Sequence, residues 1–194
     1  PQLADFTDAI AAILTKPAVV IGHSFGAMIA LDMADRYPDL VHGVAALNGI
    51  FQRDTAAKDA VLARAASLDG KTMADPTATL LRWFDAAPSA ARDACQEWLC
   101  GVDPVGYRDA YRVFAAQDGP SGQALENLRC PALFLTGEDE PNSTPQMSQR
   151  MAALAPKGTS IVLKKAAHML PMTHATQVTE ILETFIRDTQ IDTN

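Results

Sequence analysis

Residues 22–26 read Gly-His-Ser-Phe-Gly, a G-x-S-x-G pattern centred on Ser24. An apolar run at residues 18–21 precedes the pattern and an amphipathic stretch follows it, which predicts a strand, a tight turn and a helix. Such a turn pushes the serine hydroxyl out of the sheet and places it at a helix N-terminus, where free N–H groups favour an anion. Ser24 is therefore predicted to be a nucleophile, with the N–H of Phe25 as one oxyanion donor.

A serine hydroxyl needs a base to take its proton, and four histidines could supply one: His23, His42, His168 and His174. His168 follows the last predicted strand by five residues. Proteins whose nucleophilic serine lies on such a strand-to-helix turn have the chain order serine, acid, histidine, and the position of His168 agrees with it. We expect His174 to have a capping or surface role at the start of the last helix, and His23 to have a packing role beside the serine. His168 is therefore the predicted base.

The elements around these residues alternate between strand and helix. The periodicity predicts helices at 3–15, 27–37 and 145–154, strands at 18–21, 41–47, 132–136 and 160–163, and a closing helix around 178–185. The unbroken apolar run at 18–21 indicates a strand buried on both faces of a parallel sheet. Residues 52–127 are rich in alanine and charge, with prolines between short helical stretches, and predict an insertion of two to four helices.

Composition narrows the function classes. The chain has 194 residues and a formal charge of -7, which argues against nucleic acid or an anionic membrane as the main partner. No apolar run reaches the length of a membrane span. The three cysteines form no C-x-x-C pair and the histidines form no HExxH pattern, so we expect no metal site, no cofactor and a reducing, cytoplasmic location.

The elbow at 22–26 and the histidine loop together resemble the α/β-hydrolase superfamily, in the branch of lidded esterases and enol-lactonases. The resemblance covers residues 17–47, 131–145 and 160–185, and it implies an α/β fold with a mostly parallel sheet flanked by helices. It also implies a hydrolase core at 1–51 and 128–194, with a helical lid at 52–127.

One departure from this family concerns the N-terminal strands, which the family places before the helix at residue 3. Only two residues precede that helix here, so we expect those strands, and the loop that gives the second oxyanion donor, to be missing from this chain. The nucleophile strand would then be an exposed apolar edge. We therefore expect a separate N-terminal segment or a second copy of the chain to cover it.

The resemblance places the acid of the triad after the strand that ends at Gly137, where Glu138, Asp139 and Glu140 follow in order. Related hydrolases tend to show G-x-x-D, and this register selects Glu140. Asp139 has the more usual side chain but is one residue early. Both remain candidates, with Glu140 preferred, while Asn48 at the tip of another strand is not an acid.

These residues predict a serine hydrolase that cleaves an ester, thioester or lactone of a small molecule through an acyl-enzyme. Two alternatives remain open. One is a cofactor-free lyase or perhydrolase that uses the same triad. The other is a ligand-binding module that kept the fold and lost turnover, which an intact serine and histidine argue against.

Overall fold

Four parallel strands form one sheet in the computed structural model, which describes residues 1–73, 75–84 and 87–191. The strands lie in the order β1 (Ala18–His23), β2 (Val41–Leu47), β3 (Ala132–Gly137) and β4 (Gly158–Leu163). The strands end close to one another: β1 and β2 end together at the pair of His23 and Leu47, and β3 and β4 end together at the pair of Gly137 and Leu163, just beyond the pair of Leu47 and Leu135. The loops that follow all four strands therefore meet at one edge of the sheet, as expected for parallel strands.

Helices cover both faces of this sheet, and the strand residues alternate between two apolar cores. Val44, Ala46 and Phe134 contribute to the core on one face, which includes residues of α1, α2 and α8. Ala45, Leu47, Leu133 and Leu135 face the other core, which includes residues of α9 and α10. The helices of the sheet layers are α1 (Leu3–Ala11), α2 (Phe25–Arg36), α8 (Pro145–Leu154), α9 (Leu170–Thr173) and α10 (Ala175–Ile191).

Residues 52–127 carry five helices in the part of the chain that the structure describes, more than the two to four predicted. They are α3 (Thr55–Ser67), α4 (Thr77–Phe84), α5 (Ala90–Gly101), α6 (Pro104–Ala116) and α7 (Gly122–Glu126). Four of them begin at a side-chain cap, since Asp54, Ser89, Asp103 and Ser121 each accept an N–H from the first turn. Each cap gives an acceptor to an N–H group that the first turn of the helix leaves without an intrahelical partner.

Among the elements whose limits differ from the predicted ones, two helices do so for local reasons. The helix predicted at 3–15 ends at Ala11, because the N–H groups of Ile13 and Leu14 bond to carbonyls three residues back and tighten the last turn. The helix predicted to begin at residue 27 begins at Phe25, directly after Ser24 in the N-cap position.

Strand β1 departs from the prediction that it is buried on both faces. It lies at one edge of the four-stranded sheet, and most of its residues are half-buried, with Ile21 43% exposed. The reason is that, within the described residues, β1 pairs with β2 along one edge and no strand lies against the other edge of β1.

Candidate active site

Ser24 stands at the turn between β1 and α2 with φ 56° and ψ -117°. A non-glycine residue rarely adopts this conformation, which costs energy and occurs where the surrounding structure holds it. The Ser24 N–H continues the ladder of the sheet by donating to the Leu47 carbonyl at 2.9 Å. As the first residue of α2, Phe25 has an N–H without an intrahelical acceptor, so it is available to an anion near Ser24.

Close packing of strand against helix at this turn depends on Gly22. A Cβ on Gly22 would lie 2.0 Å from the Gly26 carbonyl oxygen, so no other residue fits without backbone movement. Gly26 is different, because a Cβ there would meet no atom within 4 Å among the described residues. The first glycine of the motif is thus required by contact, whereas the second is not.

The loop after β3 brings Glu140 to His168. The Glu140 Oε2 atom accepts a hydrogen bond from His168 Nδ1 at 2.7 Å, and the Glu140 side chain is buried. Asp139 and Glu138 lie exposed beside it. The Asp139 N–H donates to the Ala166 carbonyl and Glu138 accepts from the Lys165 N–H, so these two residues join the acid loop to the histidine loop.

The Glu140 carboxylate accepts four hydrogen bonds. Oε1 accepts from the backbone N–H groups of Asn142 at 2.8 Å and Ser143 at 3.3 Å. Oε2 accepts from Asn48 Nδ2 at 3.0 Å as well as from His168. Burial acts to raise the pKa of Glu140, but its bond to His168, the charge of His168 and the two N–H groups outweigh burial and hold the pKa below its ordinary value. The carboxylate is therefore ionised and held at both oxygens.

The bond from Nδ1 to Glu140 decides which nitrogen of His168 can do chemistry. With Nδ1–H directed at the carboxylate, Nε2 carries the free lone pair and is the atom that can take a proton. Gly137 permits this arrangement, because a Cβ there would lie 2.0 Å from the Ala166 carbonyl oxygen, next to the histidine loop.

His23 holds the histidine loop from the other side. Its Nε2 donates to the backbone oxygen of His168 at 2.8 Å, and the two rings lie 5.0 Å apart. The pKa of His23 is lowered to about 4, mainly by burial and in addition by the nearby His168. His23 is thus a neutral anchor of His168, a more definite role than the packing role predicted for it.

His174 lies between α9 and α10, away from the contacts of Glu140. Its backbone carbonyl accepts from the Val178 N–H in the first turn of α10, and its Nδ1 bonds to the Thr173 hydroxyl. Its main chain therefore caps α10.

Two contacts at this site were not expected from the sequence. Asn48 is not an acid and was not a candidate for the triad, although its place at the tip of β2, beside the strand before Glu140, is a usable signal. Trp83 of α4 stacks on the His168 ring with centroids 5.2 Å apart and planes 23° apart. Sequence had no signal for this contact, because the position of the inserted helices over the sheet is set by packing.

The described residues contain neither a metal-binding cluster nor a helix that could span a membrane. In residues 1–73, 75–84 and 87–191, histidine, cysteine and carboxylate side chains form no group of three that could hold a metal ion. Over the same described ranges, no helix is both long and apolar enough to span a bilayer.

Two of the curated proteins to which this chain is similar in sequence are hydrolases. The chain is 38% identical to the (E)-2-((N-methylformamido)methylene)succinate hydrolase of Acinetobacter baylyi, over 97% of this chain and 73% of that protein. It is 27% identical to a pimeloyl-[acyl-carrier protein] methyl ester esterase of Neisseria meningitidis, over 92% of this chain and 73% of the esterase.

Solved structures show the same fold. A thermophilic esterase from Thermogutta terrifontis superimposes with a TM-score of 0.85 at 22% identity, covering 97% of this chain and 73% of its own. The enol-lactonase of Burkholderia xenovorans gives a TM-score of 0.83 at 20% identity, covering 96% and 74%. The family model described as the alpha/beta hydrolase family matches residues 1–181. This chain therefore belongs to the alpha/beta hydrolase family.

Proposed function

We propose that this protein is a serine hydrolase that cleaves an ester, thioester or lactone of a small molecule through an acyl-enzyme. The observation that carries the proposal is the buried pair of Glu140 and His168 at the sheet edge where Ser24 occupies the N-cap position of α2. A buried, ionised carboxylate that orients an imidazole is the arrangement that activates a serine.

The proposed reaction has two halves with the same proton carrier. Ser24 Oγ attacks the carbonyl carbon while His168 Nε2 takes its proton, and the Phe25 N–H donates to the oxyanion. The imidazolium then gives the proton to the leaving oxygen or sulfur, which departs and leaves the acyl group on Ser24. Water, deprotonated by His168, attacks the acyl-enzyme, and the imidazolium returns that proton to Ser24 Oγ as the bond to the acyl group breaks and the acid is released. Glu140 stays ionised throughout and stabilises the imidazolium.

The helical insertion at residues 52–127 would act as the lid of this site. One support is the stacking of Trp83 on His168. The other is an apolar cluster of the insertion, formed by Leu80, Phe84 and Cys95, against which Met169 and Met172 pack from the segment after His168. Closing the site from this side would exclude water from the imidazole and strengthen its interaction with Glu140.

A second candidate substrate class is an N-acyl compound that carries carboxylates. The Acinetobacter relative is named for a substrate with an N-methylformamido group on a methylenesuccinate, and it is 38% identical to this chain. The Neisseria relatives are named for a methyl ester. The same serine chemistry serves both, since the leaving atom is nitrogen in one case and oxygen in the other.

A fluorophosphonate probe and a substrate panel test the proposal together. We expect the probe to label Ser24, the Ser24→Ala variant to lose labelling, and Ser148→Ala, which changes a buried serine of α8, to keep it. p-Nitrophenyl esters of increasing chain length and N-formyl enamines with carboxylates then define the substrate class. Labelling that survives Ser24→Ala would overturn the nucleophile, and labelling without turnover of any acyl compound would favour the binding module, the lyase or the perhydrolase.

A further inference from the structure

Asn48 lies at the tip of β2 and touches the acid of the proposed triad. Its side chain is 2% exposed, and its Nδ2 donates to Glu140 Oε2 at 3.0 Å. We propose that Asn48 is a positioning residue, which acts through Glu140 to aim Oε2 at His168. This inference rests on the proposed function, because it assigns the residue a part in the same reaction.

The distribution of donors around Glu140 explains why such a residue is needed. The backbone N–H groups of Asn142 and Ser143 hold Oε1, on the side away from the imidazole. Oε2 is held by His168 itself and by Asn48. A glutamate has one more rotatable bond than an aspartate, so a second donor on Oε2 restricts the rotation that would turn this oxygen away from Nδ1.

An amide suits this position better than an acid would. An ionised carboxylate only accepts hydrogen bonds, so the Asn48 atom that faces Glu140 is the NH₂ group. It cannot lose a proton and does not compete with His168 for one. A carboxylate in the same place would put two acids about 3 Å apart, and one of the pair would take up a proton.

The backbone at this point also favours asparagine. Asn48 has a φ of 51°, in the left-handed region that asparagine and glycine tolerate, and its N–H donates to the Leu135 carbonyl at 2.8 Å. Asn48→Gly therefore removes the amide and keeps the backbone free of strain, which makes it the informative substitution.

A double-mutant cycle between Asn48 and Glu140 tests the proposal, with kcat and KM measured on p-nitrophenyl acetate by the full chain. In the wild-type background we expect Asn48→Gly to lower kcat roughly 10- to 100-fold, the range for a hydrogen bond to a charged group, and to leave KM nearly unchanged. In the Glu140→Gln background the same substitution should change kcat by less than about threefold, because the group that Asn48 orients is no longer a carboxylate. An equal loss in both backgrounds would mean a structural role and would overturn the proposal.

Two further variants keep the test decisive. Gln52→Gly changes another residue of positive φ, 52°, and should leave kcat unchanged. If Asn48→Gly does not fold, Asn48→Asp replaces it, since it preserves the side-chain shape. Asn48→Asp should lower kcat in the wild-type background and leave it nearly unchanged in the Glu140→Gln background. Loss of labelling in Ser24→Ala checks the proposed function separately, so a reactive Ser24 with an additive cycle would overturn this inference alone.

Discussion

At the scale of single residues, two neighbouring carboxylates on one loop have different environments. Glu140 is buried and accepts four hydrogen bonds, while Asp139 is one residue away and exposed. In a tight loop one residue turns a side chain through a large angle, so both carboxylates cannot face the same imidazole. Position on the loop therefore decides the partner of His168, and side-chain type does not.

The two carboxylates give a matched pair of substitutions. Glu140→Gln should lower kcat/KM roughly 10³- to 10⁴-fold, because the imidazolium formed in the reaction loses its counter-charge. Asp139→Asn should stay within about twofold of wild type. Steady-state kinetics on one ester measures both. If Asp139→Asn were the more damaging change, Glu140 would not be the acid.

The lowered pKa of His23 makes the stability of the protein depend on pH. Its folded pKa of about 4 lies below the unfolded value of 6.5, so between these values the unfolded chain binds the proton and the folded chain does not. The free energy of unfolding should therefore fall as the pH falls through this window, by about 1.4 kcal/mol per pH unit.

His23→Gln isolates this contribution, since glutamine keeps an amide donor and does not titrate. Urea unfolding at pH 7 and pH 5 should show that the wild type loses about 2 kcal/mol more than the variant does. Equal losses in the two proteins would contradict the burial of a neutral His23.

At the scale of elements, the passage from β1 into α2 depends on one contact between backbones. A Cβ on Gly22 would overlap the Gly26 carbonyl, whereas a Cβ on Gly26 would meet open space among the described residues. Backbone atoms cannot rotate away as a flexible side chain can, so the two glycines should respond differently to the same substitution.

Gly22→Ala should lower the free energy of unfolding by at least about 3 kcal/mol, at the upper end of the range for overpacking. Gly26→Ala should leave it unchanged or raise it, because alanine favours a helix more than glycine does. Thermal unfolding of both variants provides the measurement, and equal Tm values would show that the elbow relaxes around the added methyl group.

Helix α4 contributes a second feature at this scale, because it carries the indole that covers His168. An aromatic face beside an imidazole stabilises the charged form that the proposed reaction creates. Trp83→Leu should therefore lower kcat/KM about 3- to 10-fold, in line with the strength of one aromatic pair.

The matched control for this substitution is Trp98→Leu, since Trp98 lies on α5 with 62% of its surface exposed. Its activity should equal that of the wild type. Equal losses at Trp83 and Trp98 would point to a general effect on the insertion instead of contact with the imidazole.

At the scale of the whole molecule, β1 presents an open edge of the sheet with Ile21 43% exposed. An unpaired apolar edge is a template for another strand. We therefore predict that a second copy of the chain, or a separate segment, covers this edge in solution.

Light scattering after size-exclusion chromatography tests this prediction over a range of protein concentrations. The chain should self-associate, and Ile21→Lys should reduce association because an edge lysine opposes strand pairing. Val105→Lys is the control, since Val105 has a similar exposure of 45% but lies on α6. A wild-type chain that stays monomeric at every concentration would exclude a second copy as the cover of this edge and leave a separate segment.

Features that depend on near neighbours in the chain could be predicted from the amino-acid sequence. Apolar periodicity and the Gly22 and Ser24 spacing predicted the parallel α/β fold and the strand-turn-helix at the elbow, because a few adjacent residues set those conformations. The G-x-x-D register that the family resemblance implies, counted from Gly137, favoured Glu140 over Asp139, and Glu140 is the carboxylate that bonds to His168 in the structure.

The tertiary structure decided the contacts between residues far apart in the chain. Asn48 meets Glu140 across 92 residues, and Trp83 reaches His168 from an inserted helix whose docking no local pattern specifies. The edge position of β1 likewise depends on which strands are present to pair with it. Such contacts depend on how whole elements pack, and one residue type at one position does not encode them.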